Sequence, residues 1–482
     1  MATHGFIESR WTARSFVPAL IKTMLLGVGF ASCATSATAD LVVDDGEVLV
    51  IDGEVVTESS RLRVGGPGGA GTLRIINGGR LDVREFGNIF EDGRVEVEGP
   101  GSVLELMGSL RGESVNGSML VSNGGSVRAG DSSFPNNWII SGLGSSGSFR
   151  SLGIYDDTSL GQFVEMQVID GAVLNVERRL SVALPFAPAA LTVSGPGSRV
   201  TAGLGLTVGV TEVQSGSGSG RLEILDGAQI STLFYRSGSS DLVVDGHDSQ
   251  LVLQSDFSQS GGHTTIANGA RVVAESDLRL ERRAGDPSLM LEIRGSGSSL
   301  AVAGGVRSRR DSGIEVPTVR VAEAGVLSLG GSVVYDFVNL YSPRFEVFGG
   351  RVDVAGNADL VDEFRIIPSD SLIHFKLSAI DAFDIADRAL VDVDGFLDIG
   401  DQSTIEIDFV EPAALMPGDV FDLLDFGELF GGSNPFDVRG LPAHLTLDTS
   451  MFEIDGTVRI VPTPGGVAAF ALVGLVAVRR RR

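Results

Sequence analysis

The chain has 482 residues, 65 of them glycine, and carries a formal net charge of −25. A body this acidic repels phosphate backbones, which weighs against a nucleic-acid partner, and glycine at roughly twice the usual ~7% signals many turns and little helix. The lone cysteine, Cys33, excludes an intramolecular disulfide, so stability must come from the fold.

Residues 1–39 read as a signal peptide. Basic residues up to Lys22 precede the apolar run "TMLLGVGFASCATSATA", with Ala37 and Ala39 flanking Thr38 at a cleavage position before Asp40. "FASC" offers a second reading, as a lipidation box ending at Cys33.

From residue 40 the chain repeats itself. "LVVDDGEVLVI" from Leu41, "LRIINGGRLDV" from Leu73, "MLVSNGGSVRA" from Met119 and "MQVIDGAVLNV" from Met166 align without gaps. So do "LEILDGAQIST" from Leu222, "TTIANGARVVA" from Thr264 and "VRVAEAGVLSL" from Val319. A second module falls between them: "VEVEGPGSVLEL" from Val95, "LTVSGPGSRVTA" from Leu191, "LVVDGHDSQLVL" from Leu242, "LEIRGSGSSLAV" from Leu291, and a degenerate "WIISGLGS" from Trp138. From Leu73 to Val319 the two kinds alternate strictly over eleven units, with starts roughly 20 to 30 residues apart.

Each module predicts a short strand with one apolar face, a turn at Asn-Gly or Asp-Gly, and a second strand. The turn requires positive φ, which Gly tolerates and Asn or Asp can reach, so Gly124 and Gly227 are expected there. One module buries too few side chains, at ~1.5–3 kcal/mol each, to offset ~1–2 kcal/mol of backbone entropy per ordered residue. Only stacked coils sharing one core would fold. The alternating modules resemble the repeat of autotransporter passenger domains and PEP-CTERM proteins, carried here by "LTVSGPGSRV", "LTVGV" and "LEILDGAQI". That resemblance implies an all-β, right-handed parallel β-helix over 40–356. A translocator barrel is not recognisable in this sequence.

Residues 357–460 keep strand-like alternation without clean modules and are expected to form a C-terminal β cap over the last coil. The final stretch, 461–482, holds Pro462-Thr463-Pro464-Gly465, an apolar run to Val478 and Arg479, Arg480, Arg481 and Arg482. The run is shorter than the ~20 residues of a spanning helix, and the arginines would hold their side in the cytoplasm. This tail resembles a PEP-CTERM sorting signal, with Pro-Thr-Pro where the family has Pro-Glu-Pro. The resemblance implies a short hydrophobic helix, residence of the precursor in the inner membrane, and an exosortase-type processing enzyme as partner beside the export machinery.

Catalytic and metal patterns are weak. "LVDVDGFLDIGD" from Leu390 places Asp392, Asp394 and Gly395 in calcium-loop positions, but Leu390 stands where a carboxylate is needed, and Val391 and Val393 alternate as in a strand. Loose calcium binding by turn aspartates is the one cofactor expectation. His247 and His263 lie one module apart but do not make a zinc site. Arg307, Arg309, Arg310 and Asp311 could imitate a polysaccharide-lyase cluster but are expected in a solvated loop. The sequence therefore predicts an exported, non-enzymatic β-solenoid at the cell envelope or outside it, structural or adhesive, with exopolysaccharide or a cell surface as possible partner. The alternative is a β-helix that binds or degrades polysaccharide.

Overall fold

The computed structural model describes residues 40–463, except for stretches of which 156–162, 210–218, 311–316, 330–343 and 378–390 are the longest. The described part is an all-β parallel solenoid with one four-residue helix, Phe452–Asp455. Each complete coil contributes three short strands to three stacked ladders. One coil supplies Gly71–Ile76, then Arg80–Val83, then Gly87–Ile89; the next supplies Gly93–Glu98, Val103–Leu106 and Leu110–Gly112.

The eleven module starts from Leu73 to Val319 are consecutive rungs of one ladder. Leu73 pairs with Val95, Val95 with Met119, Met119 with Trp138, and Trp138 with Met166. The series continues through Leu191, Leu222, Leu242, Thr264 and Leu291 to Val319. Alternation puts places 1 and 3 inward, as in Leu73 and Ile75, Val95 and Val97, Leu191 and Val193, all fully buried. Polar residues at place 2 point outward, where Arg74 and Glu96 meet at 2.7 Å across adjacent rungs. Such exposed pairs contribute ~0–1 kcal/mol, so the apolar stack dominates.

Three expectations need correction. The first concerns Leu41, which is not in register with Leu73: Leu41–Val43 lies in the third ladder, paired to Leu62–Val64, while Leu49 is the residue opposite Leu73. Both frames carry the same Val-rich pattern ahead of an Asp-Gly, eight residues apart, so local pattern cannot separate them. With Leu49 at place 1, Gly53 falls at place 5 with φ 67°, as Gly99 does in the second module with φ 94°. The first coil thus extends the alternation backward, with a shortened turn.

The second correction is at residue 356. Parallel pairing runs on through Arg351–Val354, Leu372–Leu377, Thr404–Phe409 and Phe436–Arg439, and through Arg344–Phe348, Glu363–Ile366, Val391–Ile399 and Leu424–Phe430. The turn signature is lost there, but a parallel ladder is made by backbone groups and does not require it. A separate antiparallel sheet has Thr457–Pro462 between Val420–Asp422 and Leu445–Asp448. Its Phe421 packs 5.4 Å from Phe409 of the coil, ring centre to ring centre.

The third correction is the third strand. Segments such as Leu110–Gly112 and Arg179–Val182 are only three or four residues long. Their alternation is too brief to stand out from a loop.

Candidate functional site

The two turn types are built differently. In the first, two successive residues take positive φ: Asn77 and Gly78 at 52° and 82°, Asn123 and Gly124 at 52° and 89°, Asp226 and Gly227 at 54° and 83°. Glu323 and Ala324 hold the same shape at 51° and 63° without glycine. In the second type two positive-φ residues flank one residue, as Gly99 and Gly101 flank Pro100, with Asp248 at 66° in the second glycine's place in one copy, and the turn is one residue longer.

The serine that ends the second turn is wholly buried in every copy: Ser102, Ser145, Ser198, Ser249 and Ser298. Its hydroxyl accepts from the glycine N–H of the preceding coil's turn, from Gly78 at 3.1 Å, Gly124 at 3.0 Å, Gly171 at 2.9 Å, Gly227 at 2.9 Å and Gly269 at 3.0 Å. Ser102, Ser145, Ser198 and Ser249 also donate at 2.6–2.7 Å to the carbonyl four residues back. A turn of the first type leaves that glycine N–H without a bond of its own, and only the second type supplies the acceptor. That is a physical reason for strict alternation.

On the exposed side, the first turn's Asn or Asp meets place 4 of the preceding coil. Asn77 donates to Asp52, Asn123 to Glu98 and Asn268 to Asp245, at 2.9, 3.1 and 2.6 Å. Where the turn residue is Asp, the neighbour is a donor: Ser141 to Asp170 at 3.1 Å and Ser194 to Asp226 at 3.0 Å. Donor faces acceptor in all five.

A cavity of about 650 Å³ lies on the outer side of the third ladder. It arises where two strands, Ser126–Phe134 and Ser146–Ile154, run nine residues straight through a corner that splits into two strands in the neighbouring coils. Below them Phe134, Trp138 and Phe149 fill the core, with ring centres 3.5–6.0 Å apart. The cavity is lined by Arg111, Asp131, Ser133, Gly153, Tyr155, Arg178, Arg179 and Ser181, among others. Asp131 pairs with Arg150 at 2.9 Å, and Arg150 lines an adjoining cavity of about 420 Å³. Sequence reading singled out none of these residues. Arg111 comes from a different coil than the adjacent Arg178 and Arg179, and only the ladders bring them together.

The residues that sequence reading did single out are scattered. Among the described residues no group of three or more His, Cys, Asp or Glu converges on one point. His247 sits 2.8 Å from Asp248 and His263 3.8 Å from Asp241, each exposed beside its own carboxylate. Asp392, Asp394 and Gly395 lie within the strand Val391–Ile399, whose register shifts between Val393 and Phe396. Arg307, Arg309 and Arg310 are not in a loop: Val306–Arg310 is a strand paired with Leu278–Arg282, another third-ladder strand that sequence did not reveal. Tyr235 has its ionisation pushed well above the ordinary range by complete burial, which leaves it no route to a substrate.

Ala37, Ala39, Asp311, Pro464, Gly465 and Arg479 to Arg482 lie outside the described residues. Pro462 ends the middle strand of the antiparallel sheet, opposite Leu445, and the Thr463 N–H donates to the His444 carbonyl at 3.0 Å. Strand pairing thus reaches two residues past the expected start of the tail. No described helix is long and apolar enough to cross a membrane.

No family model matches this chain, and no curated protein matches it. Among solved structures it matches the TibC-catalyzed hyper-glycosylated TibA55-350 fragment, at 13% identity over 83% of this chain and 98% of that one, with a TM-score of 0.28. So weak a superposition bears on neither fold nor function, and the parallel solenoid stands on its own ladders.

Proposed function

We propose that this chain is an exported, non-catalytic β-solenoid with a structural or adhesive role at the cell envelope or outside it, sorted by a PEP-CTERM-like tail. The observation that carries this reading is the use of the turn polar groups. The buried serines and the Asn, Asp and Ser side chains at the turns are spent on joining one coil to the next. A sequence that commits its repeated polar positions to stacking is built for length and rigidity.

The coil is right-handed in this reading, the hand of nearly all parallel β crossovers. The antiparallel sheet closes its C-terminal end, covering strand edges that would otherwise recruit other chains. Ala37 and Ala39 mark signal cleavage. The apolar run and Arg479 to Arg482 hold the precursor in the inner membrane with its body outside, and Pro462 to Gly465 meets an exosortase-type enzyme. Because Thr457–Pro462 is a middle strand, cleavage after it would leave the sheet whole.

Mass spectrometry of the protein isolated from its native envelope tests this. The expected C-terminus lies between residues 461 and 466, and replacing all four terminal arginines with glutamate should mislocalise the unprocessed chain. Recovery of a chain ending at Arg482 would remove the processing step and leave a plain anchor.

A further inference from the structure

We propose that the cavity over the straightened corner binds a carboxylated polysaccharide, a uronate-bearing chain, through Arg111, Arg178 and Arg179 with Tyr155 as a platform for a sugar ring. This deepens the adhesive reading above and rests on it.

Four observations converge on one ligand chemistry. First, three guanidinium groups border one cavity in a chain whose net charge is −25. Neither Arg111 nor Arg178 forms an ion pair with any described residue. Guanidinium binds carboxylate in a planar two-point contact, which suits uronates.

Second, the outward positions here carry hydroxyls in register. Arg111 pairs with Ser133, Ser133 with Gly153, Gly153 with Ser181 and Ser181 with Thr207, one rung to the next. Successive rungs are ~4.8 Å apart, so the site offers a repeating row of polar groups along the axis. A regular linear polymer can use such a row, and a compact ligand cannot.

Third, Gly153 leaves a gap in that row, and any side chain carbon at 153 would collide with the ring of Tyr155. The glycine therefore lets the half-buried tyrosine ring lie against the sheet. The part of the ring left exposed is a surface on which the apolar face of a sugar can rest.

Fourth, the acidic body does not oppose binding here. Charges more than ~8–10 Å apart are largely screened at physiological salt, so the groups lining the cavity decide, and the lining carboxylate of Asp131 is paired with Arg150 at 2.9 Å. Nucleic acid is a poorer fit, because its affinity depends on many phosphate contacts and on aromatic stacking, and this cavity has three arginines and one such ring.

The test is titration calorimetry of the full chain in detergent with polygalacturonate, its fully methyl-esterified form, monomeric galacturonate and single-stranded DNA. Polygalacturonate should bind, more weakly as salt rises, and the ester should not. Arg111→Ala with Arg178→Ala should weaken binding by about tenfold or more, as should Tyr155→Ala. Tyr155→Phe and the distant Arg271→Ala should bind as the parent does. Equal binding of the ester, undiminished binding by the double arginine variant, a monomer or DNA that binds as tightly as the polymer, or no binding at all would each overturn the proposal. Loss of binding with tail processing intact would leave the envelope reading standing. Binding followed by shortening of the polymer would leave the site standing and sink the non-catalytic reading.

Discussion

The two turn types sit on the same edge of the same stack, yet they hold it by different means. The Asn-Gly turn is a backbone device: two successive residues adopt positive φ, and its side chain faces solvent. The Gly-Pro-Gly-Ser turn is a side-chain device, ending in a buried hydroxyl that bonds its own coil and the one before it. Each type lacks what the other has. The first has a glycine N–H with no acceptor of its own, and the second has the acceptor. The alternation in sequence is therefore a pairing of unlike coils, and the unit of stability is the pair.

The sharpest way to break that pairing is Ser198→Ala. It leaves the buried Gly171 N–H without its acceptor, while the Ser194 carbonyl loses the serine hydroxyl but keeps the Asp170 N–H at 3.2 Å. Each unsatisfied buried group costs ~1–3 kcal/mol, so this should be the largest effect, read as a lower urea midpoint. A midpoint equal to the parent's would mean the hydroxyl is dispensable and alternation needs another cause.

The backbone device is tested by Gly124→Val and Gly227→Val. Both glycines hold positive φ, 89° and 83°, where a β-branched residue is strained by ~1–3 kcal/mol. At Gly124 an added carbon would also press to 3.3 Å on the Pro100 Cα, whereas at Gly227 the nearest atom is 3.6 Å away. Thermal melts should therefore rank Gly124→Val below Gly227→Val. Equal melting temperatures would mean that φ strain alone, without the neighbouring turn, sets the cost, and the reverse order would mean that the contact with Pro100 does not matter.

The smallest effect belongs to the exposed pairs. Asn123→Asp sets a carboxylate against Glu98 in place of an amide donor 3.1 Å away, and should destabilise by less than ~1 kcal/mol. Adding Glu98→Ser recreates the Ser141–Asp170 arrangement and should restore the melting temperature. Failure of the second change to rescue the first would show that donor and acceptor matching at the turns is incidental.

Much of this was legible in the sequence because the determinants are local. Period-2 alternation fixes which side chains face inward, and a Gly after Asn or Asp fixes where φ turns positive. Leu73, Val95 and Met119 were aligned as module starts from those cues alone, and they proved to be adjacent rungs. The cavity was not legible. Arg111, Tyr155 and Arg178 lie on different coils, and nothing in their own neighbourhoods distinguishes them from other polar positions on the outer face.

The sequence by itself determined the coil: two of its strands, its turn, its inward face, and the order of the two module types. It could do so because strand phase and turn conformation depend on residues within a few positions of one another. Only the tertiary structure decided register and extent. It placed Leu49 rather than Leu41 opposite Leu73, added the third ladder, carried parallel pairing past residue 356 to Arg439, and gave each buried serine its glycine partner. Those choices are made by backbone hydrogen bonds between coils some twenty or more residues apart, and backbone groups are the same at every residue but proline. A frame shifted by eight residues keeps every side chain on its face, so only the neighbouring coil can tell the two frames apart.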